Sequence, residues 1–523
     1  MTSKTETHLN DKLLIGSKML ITTPRAGNVL RHFMKLILAA VLFWSGICTS
    51  EVVSDVLTLE VALDAAFDKS PTVIQARNSL ESARKSLDAE QASLKSQFNL
   101  DLMPFRYSRS RIRDDLFQEW FTNESKSSSA DFRIDQRIKW TDAVLSLSNS
   151  LDWSETSSES DLRDKVTSTT YRNNISLTLT QPLFTYNRTM QTLNELELDY
   201  EDSQLRYTLE KLRIERTVTT QFYRVYRNLR SLEISREEYQ NKEESYNIIK
   251  NKVEAGISAQ EELFQAEVDF ARSRAQLENA DVTYENSLDE LKILLGFPIE
   301  AEIELAVDIA EMVVEVDLGK AVESGLKYSP ELRQMEIDIE KAKFDLNQIG
   351  AEDEFRADLG VTYGILGTNE EFSNIYDDPI RSQTIAVTLN VPLWDWGKKR
   401  SRLDARELLL DNQNISKDDE VNQIKLSIRK TYRELQNKLN QIEIANKSVQ
   451  NARLTYEINL ERYKNGDISS KDIGEYQTQL SNEQLNQIEA VIDYRLELLN
   501  MKIESLWDFE NDRPVIELDR STP

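Results

Sequence analysis

A proline-free run from Leu183 to Phe297 is the feature that most constrains the fold of this 523-residue chain. Proline inside a helix removes a hydrogen bond and clashes with the preceding turn, so its absence permits very long helices. Apolar residues in the run step by four, three, four and three, which predicts a helix with a coiled-coil seam. The seam residues are Val218, Phe222, Val225, Leu229 and Leu232. Leu183 to Asn251 alone would reach about 100 Å as continuous helix.

A second proline-free run, residues 393–513, repeats this pattern. Its seam residues are Ala445, Val449, Ala452, Tyr456, Leu460 and Tyr463. Gly256 in the first run and Gly466 in the second lie well inside the helical sequence, where a tight reversal of the chain fits. Each run therefore predicts a long antiparallel helical hairpin.

Other stretches alternate apolar and polar residues with a period of two, which is typical of β-strands with two different faces. The clearest are residues 174–183 and 384–393, and about ten residues is the length of a transmembrane β-strand. We expect one face of each strand to contact lipid, and Thr178 and Thr388 to face a lumen. The residues expected to face lipid are Ile175, Leu177, Leu179, Ile385, Val387 and Leu389. The alternative is an ordinary half-buried strand of a soluble sheet.

The chain also contains an internal repeat. Pro71 recurs as Pro330 at a displacement of 259 residues, whereas Gly256 recurs as Gly466 at a displacement of 210. The difference, 259 − 210 = 49 residues, is extra sequence in the first half. Each half is predicted to contain a helix, a strand, a loop, a second strand and a long helical hairpin.

The extra sequence contains two alternating segments within residues 132–153. Residues 109–130 and 154–172 on either side are polar and rich in serine, and are interpreted as exposed loops. The sequence leaves open whether the insertion, about residues 109–172, adds strands to the membrane sheet or forms an extracellular or periplasmic flap. Without it, each chain is expected to contribute four strands.

Residues 1–50 are interpreted as a targeting segment. Basic residues precede the apolar run Leu36–Trp44, which is too short to span a bilayer as a helix. Met34 is a candidate start, and Cys48 is either a lipidation site or a residue removed with the leader. The alternative is a cytoplasmic protein with an apolar N-terminal patch.

The rest of the chain divides into four predicted parts. These are a first repeat at 51–297, a linker at 298–316, a second repeat at 317–510 and a tail at 511–523. With 29% charged residues and few Gly and Pro, the composition favours an elongated coiled-coil body over several compact cores.

Charge and residue usage exclude several classes of function. The formal net charge is −26, and without residues 1–50 it becomes 58 − 88 = −30. Removing that segment also removes both histidines and the only cysteine, so the remaining chain cannot build a usual zinc site or a Cys/His or Ser/His nucleophile. The acidity argues against binding nucleic acid. We therefore expect neither a cofactor nor an enzymatic activity.

Four strands cannot close a barrel, and an open strand edge is not tolerated in lipid. The chain is therefore expected to oligomerise so that strands from several copies complete one barrel. The predicted fold class is an α+β membrane protein in which long antiparallel helical hairpins are continuous with a transmembrane β-barrel.

At this level of detail the chain resembles the TolC-like outer membrane efflux protein family over about residues 55–510. The resemblance rests on the two-copy layout, the helix turns around Gly256 and Gly466, and the two proline-ended strands. The strand ends read Leu179-Thr180-Gln181-Pro182-Leu183-Phe184 and Leu389-Asn390-Val391-Pro392-Leu393-Trp394.

The resemblance implies a homotrimer with a twelve-stranded barrel in the outer membrane, four strands from each chain. It also implies a tapering α-barrel tunnel across the periplasm, docked to a periplasmic adaptor protein and an inner-membrane pump. The function implied is the exit duct of a tripartite efflux or type I secretion system. The sequence names neither the pump class nor the cargo, which in this family is a drug, a metal or a protein.

The resemblance also implies a periplasmic aperture at the second helix turn. Asp472 and Glu475 match acidic positions that ring the entrance, and crowding of these carboxylates is expected to raise some of their pKa values. Tyr463 matches an aromatic residue that helps to hold the entrance closed. Ile468 occupies the position of a basic gating residue, for which Lys471 is a candidate substitute. The alternative is a solvated acidic face of a helix.

The two turns are implied to be the tips that contact the adaptor. The tip residues are Gly256, Ile257, Ala259 and Glu262 in the first turn, and Gly466, Asp467 and Ser469 in the second. The alternative is that both are simple helix-capping turns.

Two other classes of protein carry long helical hairpins. A periplasmic adaptor would need Gly- and Val-rich lipoyl-like and barrel modules around a single hairpin. A secreted coiled-coil scaffold would not explain the alternating, proline-ended strands.

Overall fold

The computed structural model describes residues 56–114, 119–160, 163–306, 313–351, 355–465 and 467–516. The targeting segment predicted at residues 1–50, with Cys48, lies outside the described residues, and so does Gly466. No described helix combines the length and the hydropathy needed to cross a membrane.

Two sets of four helices follow one another along the described chain. The first set is α1 (Leu59–Lys69), α2 (Pro71–Ser93), α3 (Arg188–Glu254) and α4 (Gln260–Leu295). The second set is α5 (Leu318–Tyr328), α6 (Pro330–Ala351), α7 (Lys398–Lys464) and α8 (Ser470–Ser505). Both α3 and α7 have 67 residues, and both α4 and α8 have 36. At 1.5 Å per residue, α3 and α7 are each about 100 Å long.

The helices pack side by side in a fixed order. In the part nearer the hairpin turns the order is α4, α3, α8 and α7. In the part nearer the sheet the order is α2, α3, α6 and α7. Within the described chain, α4 or α2 therefore forms one margin of the helical layer and α7 forms the other.

The two larger apolar clusters of the described residues hold the helices together. Four of the five residues of the first predicted seam are buried, and Leu229 is half-buried. Three of the seam residues join residues of α1, α2 and α4 in a cluster. Its buried members are Leu57, Ala62, Ala66, Val73, Ile214, Val218, Phe222, Val225, Leu288, Leu291 and Leu295. The second cluster contains Val316, Ala321, Ile428, Leu435, Tyr494, Leu498 and Met501. Burial of this apolar surface is the main stabilising term for helices that are otherwise highly charged.

Charged side chains also join helices of the first set to helices of the second set. Arg333 on α6 donates two hydrogen bonds to Glu201 on α3, at 2.6 and 2.9 Å. On the other side of α6, the Lys417 ammonium on α7 lies 2.8 Å from Glu336. Hydrogen bonding to Lys417 lowers the pKa of Glu336, against the desolvation that raises it. Because Arg333 pairs bidentately, this contact fixes orientation as well as distance.

The main sheet has six antiparallel strands in the order β2-β3-β4-β5-β7-β8. They are β2 (Gln97–Asp114), β3 (Glu119–Ile138), β4 (Ala143–Ser160), β5 (Arg163–Leu183), β7 (Arg356–Asn369) and β8 (Ile380–Asn390). Two small pairs lie beside the helices: β1 (Val56–Leu57) with β6 (Glu304–Leu305), and β9 (Trp507–Asp508) with β10 (Arg513–Pro514).

The expectation of four strands per chain is wrong, because the insertion in the first half is itself a β-hairpin, β3 and β4. The interpretation of residues 109–130 and 154–172 as exposed loops is also largely wrong, since most of both ranges belongs to strands β2 to β5. These segments carry serine and charged residues on both faces, so they show no period of two in hydropathy. Backbone pairing with neighbouring strands, rather than an apolar face, makes them strands.

Candidate functional site

Two matching turns end the long helices at the same end of the helical layer. The turn between α3 and α4 spans residues 255–259, and the turn between α7 and α8 spans residues 465–469. Gly256 has a φ of +71°, which a residue with a side chain adopts only at a cost. The Ile257 N–H donates to the Lys252 carbonyl at 2.8 Å, and the Gly256 N–H to the Val253 carbonyl at 2.9 Å. These two bonds form a Schellman motif.

The second turn repeats the bond that spans five residues. The Asp467 N–H donates to the Arg462 carbonyl at 2.9 Å, five residues back as in the first turn. The beginnings of the return helices differ. Ser469 caps α8 with its side chain, whereas Ala259 supplies no side-chain cap to α4. Six of the seven residues predicted for the tips are described, and all six lie in or beside these turns.

Asp472 completes the cap of α8. The Ser469 hydroxyl and N–H donate to its Oδ2 atom at 2.8 and 3.0 Å, and the Asp472 N–H donates back to the Ser469 hydroxyl at 3.3 Å. This arrangement is a capping box with Asp at the third helical position. The hydrogen bonds from Ser469 lower the pKa of Asp472. Within one chain this shift is opposite to the rise expected from crowding of carboxylates.

Glu475 and Lys471 lie on the same exposed side of α8. The Lys471 Nζ atom is 4.0 Å from Glu475 Oε1, and the two side chains are 73% and 70% exposed. Such a pair contributes little to stability because water screens it. Within the described chain, the carboxylate near Lys471 is one on its own helix.

Two lysines of the first hairpin reach the second turn, and sequence reasoning missed both. The Lys252 ammonium lies 5.7 Å from the centroid of the Tyr463 ring, a cation–π contact between hairpins. The Tyr463 hydroxyl is buried and has no hydrogen-bond partner among the described residues. Lys242 lies against Gly474, with Nζ 2.7 Å from the position that a Cβ atom would take. Neither lysine has a sequence signal, because each contact joins residues more than 200 positions apart.

Large apolar residues are exposed beside the first turn. Ile257 in the turn is 75% exposed, and Phe264 and Val268 on the adjoining end of α4 are also exposed. Several large apolar side chains exposed close together in sequence are typical of an interaction site.

The sheet has one apolar and one polar face. Strand register places all six residues predicted to face lipid on one face, with Leu179 opposite Val361 and Val361 opposite Ile385. The other face carries hydroxyl pairs between strands, such as Thr178 with Thr362 at 3.1 Å.

Aromatic residues border the apolar face at both ends. Trp153 on β4 pairs with Tyr171 on β5, whose ring packs against Phe372 at a centroid distance of 5.8 Å. At the end nearer the helices, Trp140, Trp394 and Trp396 are exposed. From Leu145 to Trp153 the apolar face of β4 covers nine residues, which at the usual rise and tilt is about 20–25 Å, the height of an outer-membrane apolar band.

A banded sheet joined to helices of about 100 Å defines an outer-membrane channel with a long periplasmic body. The family model described as "Outer membrane efflux protein" matches residues 142–297 and 321–500, more than half of the chain. The chain belongs to the outer membrane efflux protein family, as the resemblance implied. It is an efflux channel of the outer membrane, with its helices in the periplasm.

Solved structures show the same fold. A membrane protein from Pseudomonas aeruginosa matches with a TM-score of 0.64 at 16% identity, over 88% of this chain and 93% of that one. The CmeC outer membrane channel of Campylobacter jejuni matches with a TM-score of 0.64 at 14% identity, over 86% and 85%. The open state of the MtrE outer membrane channel of Neisseria gonorrhoeae matches with a TM-score of 0.63 at 13% identity, over 88% and 93%. No curated protein sequence matches the chain significantly.

Gly256 tests whether the first turn depends on its backbone conformation. Gly256→Val should destabilise the hairpin by about 1–2 kcal/mol, because a β-branched residue is strained at positive φ. No atom lies within 4 Å of a Cβ at this position, so Gly256→Asn, which tolerates the left-handed region, is the matched control. Thermal unfolding of both variants is the measurement. Equal losses in Asn and Val variants would contradict the backbone explanation.

The two faces of β5 are compared by arginine substitution. Leu177→Arg should destabilise the inserted protein by about 2–4 kcal/mol, because a charge at mid-band would meet hydrocarbon. Thr178→Arg, one residue away on the polar face, is the control and should fold and insert normally. The measurement is the yield of heat-modifiable protein in the outer-membrane fraction. If Thr178→Arg blocks insertion and Leu177→Arg does not, the assignment of faces is wrong.

Proposed function

We propose that this chain forms a homotrimeric exit duct of a tripartite efflux or type I secretion system, connected through a periplasmic adaptor to an inner-membrane pump. The observation that carries the proposal is the pair of matching helical tips, placed about 100 Å from an outer-membrane sheet. A duct of that length reaches across the periplasm to a partner in the inner membrane. The adaptor and scaffold alternatives have no support from the family match.

Assembly into a ring is supported by the two margins of the helical layer. Near the tips, α4 exposes Phe264 and Val268, and α7 exposes Leu454 and Ile458. Both pairs lie within about three turns of the tip. Because α4 and α7 lie at opposite margins, the α4 margin of one copy can cover the α7 margin of the next. This is a head-to-tail contact, and such contacts close into a ring when the rotation between copies divides a full turn. The number three is taken from the family.

The tips are the proposed docking site for the adaptor. The exposed Ile257 offers apolar surface to a second protein at the turn itself, beyond the α4 residues assigned above to the contact between copies. The two turns present similar backbone shapes. The tip residues of the second turn, Asp467 and Ser469, are exposed and polar. Docking would therefore combine an apolar contact at the first turn with polar contacts at the second.

The proposed aperture lies at the start of α8. In a trimer, Asp472 and Glu475 would supply six carboxylates near the entrance, and a ring of carboxylates concentrates cations. The Lys252 contact with Tyr463 supports a role for Tyr463 in holding neighbouring hairpins together. Lys471 is a weaker candidate for a gating cation, since it pairs with Glu475 on its own helix.

Photocrosslinking tests the proposed docking site in living cells. A photoreactive residue at Ile257 should form a covalent product with a periplasmic adaptor protein, identified by mass spectrometry. The same residue at Val282, which is also exposed but lies far along α4 from the tip, is the control and should form no adaptor product. If position 257 reacts only with other copies of the chain, the turns do not dock an adaptor.

Planar-bilayer recordings test the aperture. The wild-type pore should prefer cations and be blocked by multivalent cations from the periplasmic side, and Asp472→Ala/Glu475→Ala should lose both properties. Glu443→Ala/Glu457→Ala removes two exposed carboxylates of α7 that lie farther from the tip, and it is the matched control. Unchanged selectivity and block in the aperture variant would leave a solvated helix face as the explanation.

The same recordings have an expected pH dependence. An acid whose pKa is lowered keeps its charge to lower pH, so the Asp472 contribution should persist below the usual aspartate range of about 4. Ser469→Ala removes the hydroxyl that is the main cause of the lowered pKa. Its selectivity should therefore fall at a higher pH than that of the wild type.

A further inference from the structure

The inserted hairpin, β3 and β4, lies within the sheet between β2 and β5. Strand β3 pairs with β2 from Gln97 opposite Asp135 to Asp114 opposite Glu119. Strand β4 pairs with β5 from Val144 opposite Thr180 almost to the far end of both strands. Since β3 and β4 also pair with each other, each has a hydrogen-bonded neighbour on both sides. A flap would lack those outer pairings.

The hairpin also reaches down to the helices. The Asn187 side chain at the start of α3 donates to the Lys139 carbonyl at 2.5 Å, and Gln181 donates to the Thr141 carbonyl at 2.7 Å. The Asp142 carboxylate accepts hydrogen bonds from the N–H and hydroxyl of Thr189 in the first turn of α3. An acidic side chain is favourable there because the helix N-terminus is partially positive. The β3–β4 turn is therefore fixed at the boundary between sheet and helices.

The two faces of the sheet continue across the insertion. Leu147 lies opposite Ile134 on one side and Leu177 on the other, on the apolar face. Ser148 bonds with Ser176 at 2.7 Å on the polar face. The inserted strands therefore have the same two environments as the strands around them, which is what a position in the wall of a barrel requires.

Strands β2 and β8 form the two edges of this sheet, and the described chain pairs neither outer edge. Unpaired backbone groups in hydrocarbon cost several kcal/mol each, so both edges must find partners. Six strands alternate in direction, so β2 runs away from the helices and β8 runs back toward them. Placed edge to edge, β8 of one copy and β2 of the next are therefore antiparallel, like every other pair in the sheet.

We propose that β8 of each copy pairs with β2 of the next, and that three copies close an eighteen-stranded barrel. The proposal rests on the homotrimer of the proposed function; three copies of six strands give eighteen instead of the twelve that four per chain would give. At about 4.8 Å between strands and a tilt of about 40°, the backbone diameter is about 36 Å, against about 24 Å for twelve strands. Barrels of this size leave an open aqueous channel.

Disulfide cross-linking tests the edge pairing. Cys48 is the only cysteine in the sequence, so cysteines can be introduced in a Cys48→Ser background. Ile385→Cys on β8 is combined in turn with Phe98→Cys, Leu100→Cys or Leu102→Cys on β2, all exposed on the apolar face. Oxidised membranes should contain covalent species up to three chains for at least one combination. Ile385→Cys with Leu147→Cys on the central strand β4 is the control and should give none.

The strand number is decided by cryo-electron microscopy of the assembled protein in nanodiscs. Wild type should show eighteen strands. A variant without residues 115–162, with Asp114 joined to Arg163 by a short turn, brings β2 next to β5 in antiparallel direction and should show twelve. If this variant does not assemble, the wild-type count alone decides.

The outcomes separate the inference from the proposed function. A trimer with twelve strands would overturn the inference and leave the exit duct intact. An assembly with another number of chains, or cross-links confined to one chain, would overturn the trimer itself. Absence of cross-links in all three combinations would overturn the pairing of β8 with β2.

Discussion

Backbone hydrogen bonds that one chain cannot complete govern the architecture. Each long helix satisfies its own N–H and C=O groups, so α3 and α7 can extend for about 100 Å with little more than a narrow apolar seam to hold them. The sheet is different, because β2 and β8 each leave a row of backbone groups that no described strand of the same chain pairs. The helical layer is incomplete at its margins for another reason, the exposed apolar residues of α4 and α7. Both layers thus need neighbours, one through hydrogen bonds and the other through apolar burial.

The helices could be predicted from the sequence because their apolar periodicity is local and is repeated over many turns. Missing prolines and a seam of apolar residues located α3 to within a few residues of its end at Glu254. The strands β5 and β8 were accessible because polar and apolar residues alternate on them. Residues 119–130 carry no such signal: Ser127, Ser128 and Ser129 fit a loop as well as a strand, and only pairing with β2 and β4 decides. At the tips, the cap of α8 does have a sequence signal that the prediction of the tips did not use, because Ser469 followed three residues later by Asp472 matches the capping-box pattern. The contact of Lys252 with the Tyr463 ring has none, since it depends on packing between hairpins.

The two halves of the chain differ little in their helices and more in their strands. Corresponding helices of the two halves differ in length by at most one residue, whereas the first half alone carries the extra hairpin. The junctions between the layers absorb the difference: Phe184 and Trp396 both take positive φ values just before α3 and α7, and the β3–β4 turn is bonded to the start of α3. A strand pair can therefore be added to the sheet without changing the helices, because each helix is joined to the sheet through a short, sharply bent segment.

The cap at the start of α8 links the position of the Asp472 charge to the position of the helix end. The Asp472 carboxylate is bonded to the backbone and hydroxyl of Ser469, so its charge is held by the helix end and not by a freely rotating side chain. Any outward displacement of that helix end carries the charge outward by the same distance. In the proposed aperture, outward movement of the helix ends would weaken the field at the axis, with a screening length of about 8 Å at physiological salt. Widening the passage would then also reduce its attraction for a cation at the narrow end.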